Sequence, residues 1–360
     1  MPHPAITPPC LTSELPGIGG RIKVEVADFQ VEEVPAYEPS GVGEHIYLWI
    51  EKIDLGPEFF AKRIAQALGI APMNVGMAGL KDRRGITRQW VSVPAACEAL
   101  LGKIDAADIR VLKTARHGNK LKPGHLRGNR FIIVVRDADP TKADAAEAIL
   151  SRIRTEGMPN YYGPQRFGND GTTADVGLEC LAGRRPRGMN SFRFKFALSA
   201  VQSLLFNDYL ARRLRDGLLR TVLAGDVMMK RPAGGLFNAE DVPTEQTRFE
   251  AGETVPGGPM YGSRMYPTRY LAAEREAQVL FAHALRIEDF DHFGKLVNGT
   301  RRHTLVFPDD LIHTWEGPTL TMAFTLSSGC YATVLLHELM KSKTPEVVEE
   351  PVGEEAVDSD

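Results

Sequence analysis

The chain reads as an α+β protein. Strand-like runs and helical patterns both occur, they follow one another without any internal repeat, and 43% hydrophobic with 25% charged residues is ordinary for a globular protein. Pro4, Pro8, Pro9 and Pro16 make the N-terminal segment irregular. Arg21 to Val34 alternates in part and reads as one strand; His45 to Lys52 reads as a second. Pro57 to Leu68 fits an amphipathic helix, because Phe60, Ile64, Ala67 and Leu68 share a face and Gly69 can cap it. Val91 to Val93 is a short strand, and the unbroken apolar run Phe131 to Val135 suits a buried one. Lys142 to Arg154 is helical, closed by Gly157 and Pro159. Leu198 to Asp216 forms a long helical pattern with Val201, Leu204, Leu205, Tyr209 and Leu210 on one face. Gly225 to Pro267, rich in Gly and Pro, reads as irregular. A helix over Leu271 to Leu285, a strand over Leu320 to Leu326 and a helix over Tyr331 to Met340 complete the pattern.

A length of 360 residues allows two domains or one domain with a large insertion. No apolar run approaches the ~18 residues of a membrane span, and the N-terminus lacks a secretory pattern. Cys10, Cys97, Cys180 and Cys330 are scattered, which indicates neither a zinc site nor disulfides and leads us to expect buried thiols in a cytoplasmic protein. The net charge of −3 conceals an uneven distribution. Seven of the 46 acids lie in residues 344–360, which hold no Lys or Arg, so the remainder carries 43 bases and 39 acids. That tail is expected to be disordered. Arg110 to Arg136 contains eight Lys or Arg and no acid, an electrostatic footprint for phosphates.

Asp82 is the residue with the clearest chemistry. It is one carboxylate among Lys81, Arg83, Arg84 and Arg88, directly before the strand-like Gln89 to Val93. Neighbouring cations favour its charged form, and Asp is depleted within strands, so it belongs on the approach to one. Such a group can act as nucleophile or base on an anionic polymer. The sequence also admits a non-catalytic RNA-binding protein or RNA chaperone that uses residues 110–136. A phosphodiester-cleaving enzyme would want clustered carboxylates for metal ions, and residues 78–90 offer one.

The segment Ala78-Gly79-Leu80-Lys81-Asp82 to Trp90 resembles the catalytic motif of the TruD family of tRNA pseudouridine synthases. Asp28-Phe29-Gln30-Val31-Glu32-Glu33 is similar to its DFxVEE, and Arg116 to Gly124 with Gly128 to Phe131 to its RHxxKLxxG…GNxF. Asn160 to Gly168 resembles NYxGxQRFG, and Gly329 to Thr333 resembles GxYAT. The resemblance implies a catalytic domain of mixed, largely antiparallel sheet, residues 1–157 and 304–343, interrupted by a mixed α/β TRUD insertion at 158–303. The active-site cleft would lie between the parts. It implies isomerisation of uridine 13 of tRNA, with glutamate tRNA the expected target, no cofactor, no metal, a monomer and no protein partner. Asp82 would be the catalytic carboxylate, supported by Lys23, Phe29, Asn129 and Phe131, with the two Phe rings stacking on the base. Lys81, Arg83, Arg84, Arg116, Lys120, Lys122, Arg127, Arg130 and Arg166 are candidates for RNA contact. Tyr162, Gln165 and Phe167 belong to the signature that opens the insertion, and His117 and His125 lie in the basic segment.

Overall fold

The computed structural model describes residues 7–168, 171–231 and 234–342; the expected disordered tail lies outside them. The chain forms two compact units. Among the described residues, a sheet unit takes 16–150, 308–329 and 339–342; a second unit takes 7–15, then 151–307 and 330–338. Among the described residues no helix is long and apolar enough to cross a membrane.

The sheet unit begins with β1 (Arg21–Ile22), β2 (Phe29–Pro35), β3 (His45–Ile53), helix α1 (Pro57–Leu68), β4 (Gly76–Met77), β5 (Ile86–Pro94), β6 (Ile109–His117) and β7 (Leu126–Arg136), and enters α2 (Ala143–Glu156). The run Arg21 to Val34 is not the single strand expected. Lys23 adopts a left-handed φ of 57°, and a short 3-10 turn over Val26–Asp28 follows before β2 starts. Asp28 is buried, accepts from Glu25 N at 2.8 Å and takes two bonds from the Arg136 guanidinium at 2.7 and 2.8 Å. Burial pushes its carboxyl up, but the Arg136 and Glu25 hydrogen bonds outweigh that and hold it below its usual range. Helix α1 has the expected bounds, with Pro57 in its first turn and Gly69 at φ 66° closing it. Its Phe60, Ile64 and Leu68 pack on Ile46, Leu48 and Ile50 of β3 and Val91 and Val93 of β5. Each such side chain contributes about 1.5–3 kcal/mol by leaving water.

The second unit then adds β8 (Met158–Pro159), α3 (Thr173–Leu181), α4 (Ser191–Arg215), β9 (Val227–Lys230), β10 (Leu236–Asn238), α5 (Val242–Glu250), β11 (Thr254–Met260), α6 (Tyr270–Ala282), β12 (Thr300–His303) and β13 (Leu305–Val306). Helix α4 starts seven residues before the periodic pattern, capped by the Asn190 side chain accepting from Arg193 N. Its first turns are largely exposed, so no apolar stripe marks them. The stretch read as irregular holds β9, β10, α5 and β11, with the sheet order β10-β9-β11-β12. The glycines of β11 misled because they serve packing. A Cβ on Gly258 would lie 2.7 Å from Phe206 of α4, so only a bare backbone lets the strand run beneath the helix.

The chain returns to the sheet unit with β14 (Asp309–Glu316) and β15 (Thr319–Ser327), and then forms α7 (Ala332–Met340), whose residues to 338 belong to the second unit. The nine-stranded sheet runs β14-β15-β7-β2-β5-β3-β6, with β1 on β7 and β4 on β5. Every pairing is antiparallel except β2 with β5. That one parallel pair sets Gln30 beside Ile86, so the segments preceding both strands lie at one end of the sheet. β3 runs antiparallel to β5 with Ile53 opposite Ile86, which brings its last residues to the same end. The cysteines are all free; Cys97 and Cys180 are buried, while Cys10 and Cys330 are only half-buried, contrary to the expectation for four buried thiols.

Candidate active site

Asp82 lies in the loop between β4 and β5, as its placement before a strand predicts. Gly85 ends that loop at φ +146°, and a Cβ there would come within 2.5 Å of the Phe29 carbonyl oxygen. Glycine therefore lets the loop close against the start of β2. The Asp82 carboxylate is 55% exposed, and its Oδ2 accepts from Lys23 Nζ at 3.1 Å. Its other oxygen has no partner among the described residues, which leaves one face of the carboxylate free to act. The same ammonium sits 4.3 Å from the centroid of the Phe29 ring, a cation–π distance. Phe29 meets Phe131 edge-on at 6.3 Å, and Phe131 stacks on Phe324 at 5.4 Å. Lys23 is thus shared between a carboxylate and an apolar wall that limits water around it.

Two buried groups hold the loop from below. Lys52, near the end of β3 and fully buried, donates to the Asp82 carbonyl at 3.0 Å and to the Leu55 carbonyl at 2.5 Å. Burial pushes its ammonium down to about 8; the carboxylates of Asp82 and Asp54 oppose this and the Lys81 charge adds to it. Glu33 of β2 is also buried; it accepts from Lys81 Nζ at 3.2 Å and from Trp90 N at 3.4 Å. Burial pushes the Glu33 carboxyl up against the opposing pull of Lys81.

Lys52→Met should leave the part-buried carbonyls of Leu55 and Asp82 without this charged donor, costing about 1–3 kcal/mol. The deficit should depend on pH. Between about 8 and the ordinary value of 10.5, the unfolded chain holds a proton that folded Lys52 has released. Wild-type stability therefore rises with pH in that window from this group, and the variant lacks the rise. Melting temperatures of both proteins at pH 7 and 9.5 should show the gap widening. A constant gap would mean that Lys52 does not titrate there.

The TruD family model, described as tRNA pseudouridine synthase D, matches residues 6–191 and 194–339. The chain belongs to the TruD family. It is 41% identical over 339 residues to tRNA pseudouridine synthase D of Anaeromyxobacter sp. (strain Fw109-5), covering 93% of this chain and 96% of the relative. It is 40% identical over 351 residues to the protein of that name from Thermus thermophilus, covering 97% and 96%. A Methanosarcina mazei crystal structure assigned to TruD superimposes with a TM-score of 0.75 at 22% identity, over 94% of this chain and 96% of that one. That likeness shows a shared TruD fold, α+β as expected.

Within this TruD fold, the cations flanking Asp82 do not surround it as their positions suggest. Lys81 is buried on Glu33 and so is withdrawn from solvent, contrary to its expected contact with RNA. Arg84 donates to the Val24 carbonyl at 3.0 Å, Arg83 lies 3.9 Å from Asp54, and Arg88 pairs with Glu51 at 2.8 Å. The loop bends over residues 83–85 before β5 begins, and each of these cations finds a different partner. Phe29 and Phe131 are 4% and 8% exposed, so both rings are walls of the core, without the open face that the expected stacking on a base requires. Asn129 lies in β7 opposite Glu33, with its buried Oδ1 unpartnered among the described residues. In the basic segment Arg116 pairs with Glu98, Lys120 donates to the Met73 carbonyl, and His125 Nδ1 meets Tyr37 Oη at 2.7 Å. Lys122, Arg127 and Arg130 are exposed and form no ion pair among the described residues. In the second unit Arg166 binds Ser199 and Ser203 of α4, with its guanidinium 5.6 Å from the Tyr162 ring; Phe167 is buried, and Gln165 lies 3.4 Å from Thr333 Oγ1. Sequence reasoning missed Lys52 and Glu33. Their signal was a lysine closing an apolar strand and an acid at an inward position of another.

Proposed function

We propose that this chain converts uridine 13 of tRNA to pseudouridine, with glutamate tRNA its expected substrate and Asp82 the carboxylate that acts on the reacting nucleotide. Family membership supplies the reaction class, an isomerisation. The bond between N1 and ribose C1′ breaks, the uracil turns, and C5 bonds to C1′ while a proton is lost from C5 and one ends on N1. Atoms and electrons balance within the nucleotide. A carboxylate beside an oxocarbenium-like C1′ stabilises it, as in other glycosidic chemistry.

The observation that carries the reading is the Lys23–Asp82 pair, one oxygen held and the other free, at a solvent-facing edge backed by buried aromatic rings. Exposed Lys122, Arg127 and Arg130 supply charge for the phosphates. The target base must leave its stack, at a cost of a few kcal/mol that binding of the flanking backbone offsets. Mapping pseudouridines in cellular RNA with and without the gene tests the target. One D-arm site in glutamate tRNA should lose its signal, and an unchanged tRNA map would refute the proposal.

A further inference from the structure

The second unit carries a surface that the uridine chemistry leaves unused. From residue 182 to 207 the chain holds Arg184, Arg185, Arg187, Arg193 and Lys195 and not one Asp or Glu. Two of these are engaged locally. Arg184 pairs with Glu179, and Arg185 lies 4.3 Å above the Phe194 ring while donating to the Met189 carbonyl at 2.6 Å. Arg187, Arg193 and Lys195 are exposed, with no side-chain ion pair or hydrogen bond among the described residues. Beside them, in the first turn of α4, Phe192 is 77% exposed. Its ring is parallel to that of Phe196, 6.3 Å away with 2° between planes, and Phe196 is in turn 5.6 Å from the Arg166 guanidinium.

A single exposed Phe means little. Here a second ring lies parallel to it at the start of α4, and three uncompensated cations lie close to it in sequence. A protein partner would need acidic groups against these cations and an apolar surface wider than one ring. Single-stranded nucleic acid offers both features in its repeat, since every base has a π-face and every linkage an anion. We propose that residues 184–196 form a second RNA-contact surface, on which Phe192 stacks an unpaired base while Arg187, Arg193 and Lys195 hold the adjoining phosphates. The inference rests on the reading of the chain as an enzyme of tRNA, and it assigns a contact remote in sequence from Asp82.

The test uses the full chain and transcribed glutamate tRNA, with two variants, Phe192→Ala and Arg187→Ser/Arg193→Ser/Lys195→Ser. Phe192→Ala should raise Kd roughly 5-fold or more, the loss of one stacked base, with turnover at saturating tRNA unchanged. The triple variant should flatten the dependence of log K on log salt by about 2 to 3, at roughly 0.7–0.9 per phosphate contact. Both should keep the wild-type melting temperature, since the altered side chains are exposed. If Kd and the salt slope match wild type in both variants while wild type forms pseudouridine, the surface is not an RNA contact and a protein face takes its place. If wild type binds the tRNA without converting it and the variants bind more weakly, the surface stands and the functional reading falls. If wild type neither binds nor converts, both fall.

Discussion

Asp82→Asn should lower pseudouridine formation by at least roughly 10^4-fold, the scale seen when a carboxylate acting at a reacting centre is removed, while tRNA affinity stays within a few-fold. The substitution keeps shape and a hydrogen-bond acceptor for Lys23 Nζ, and the side chain is half exposed, so the fold should be unaffected. What it removes is charge. An amide oxygen cannot stabilise a cationic C1′ or form a bond to the nucleotide as a carboxylate does. Single-turnover assays with tritiated or chemically mapped tRNA, run beside binding measurements, separate the two effects. Turnover near wild type would show that the chemistry resides elsewhere. A parallel loss of binding would make Asp82 a docking residue.

Glu33→Gln is the variant with the largest expected effect on stability. The Glu33 and Lys81 side chains are 0% and 4% exposed, so the amide would leave a buried ammonium with no counter-charge. Removing one member of such a pair costs about 3–5 kcal/mol. In a domain of this size that is a fall in melting temperature of roughly 10 °C. Activity should fall as well, because Lys81 adjoins Asp82 and anchors its loop. Glu33→Gln/Lys81→Met removes the stranded charge and should regain most of the lost stability, which distinguishes a charge effect from a packing defect. A single variant that melts within a degree of wild type would mean that the pair is open to solvent.

Much of the fold was legible because local physics decided it. Helix α1 has the bounds its apolar spacing, Pro57 and Gly69 predict, since helix ends are short-range events. The apolar run at Phe131 is a central strand, β7, flanked by β15 and β2. Legibility failed where residues answered to distant partners. β11 looked like a loop because its glycines are shaped by Phe206 and Met229, neither of them near in sequence. The break at Lys23 was hidden inside an alternating pattern, yet it ends β1 ahead of the turn that leads into β2.

The amino-acid sequence alone determined that a lone carboxylate would stand on a loop ahead of a strand, in a chain whose ordered motifs resemble one family. Tertiary structure decided which charge holds that carboxylate. The four cations beside it in sequence turn to other groups, and the partner is Lys23, 59 residues away. The reason is strand order: a parallel β2–β5 pair with β3 antiparallel beside it gathers Lys23, Lys52 and Asp82 at one end of the sheet. Pairing across such separations is set by which strands lie side by side, and no local pattern of residues encodes that.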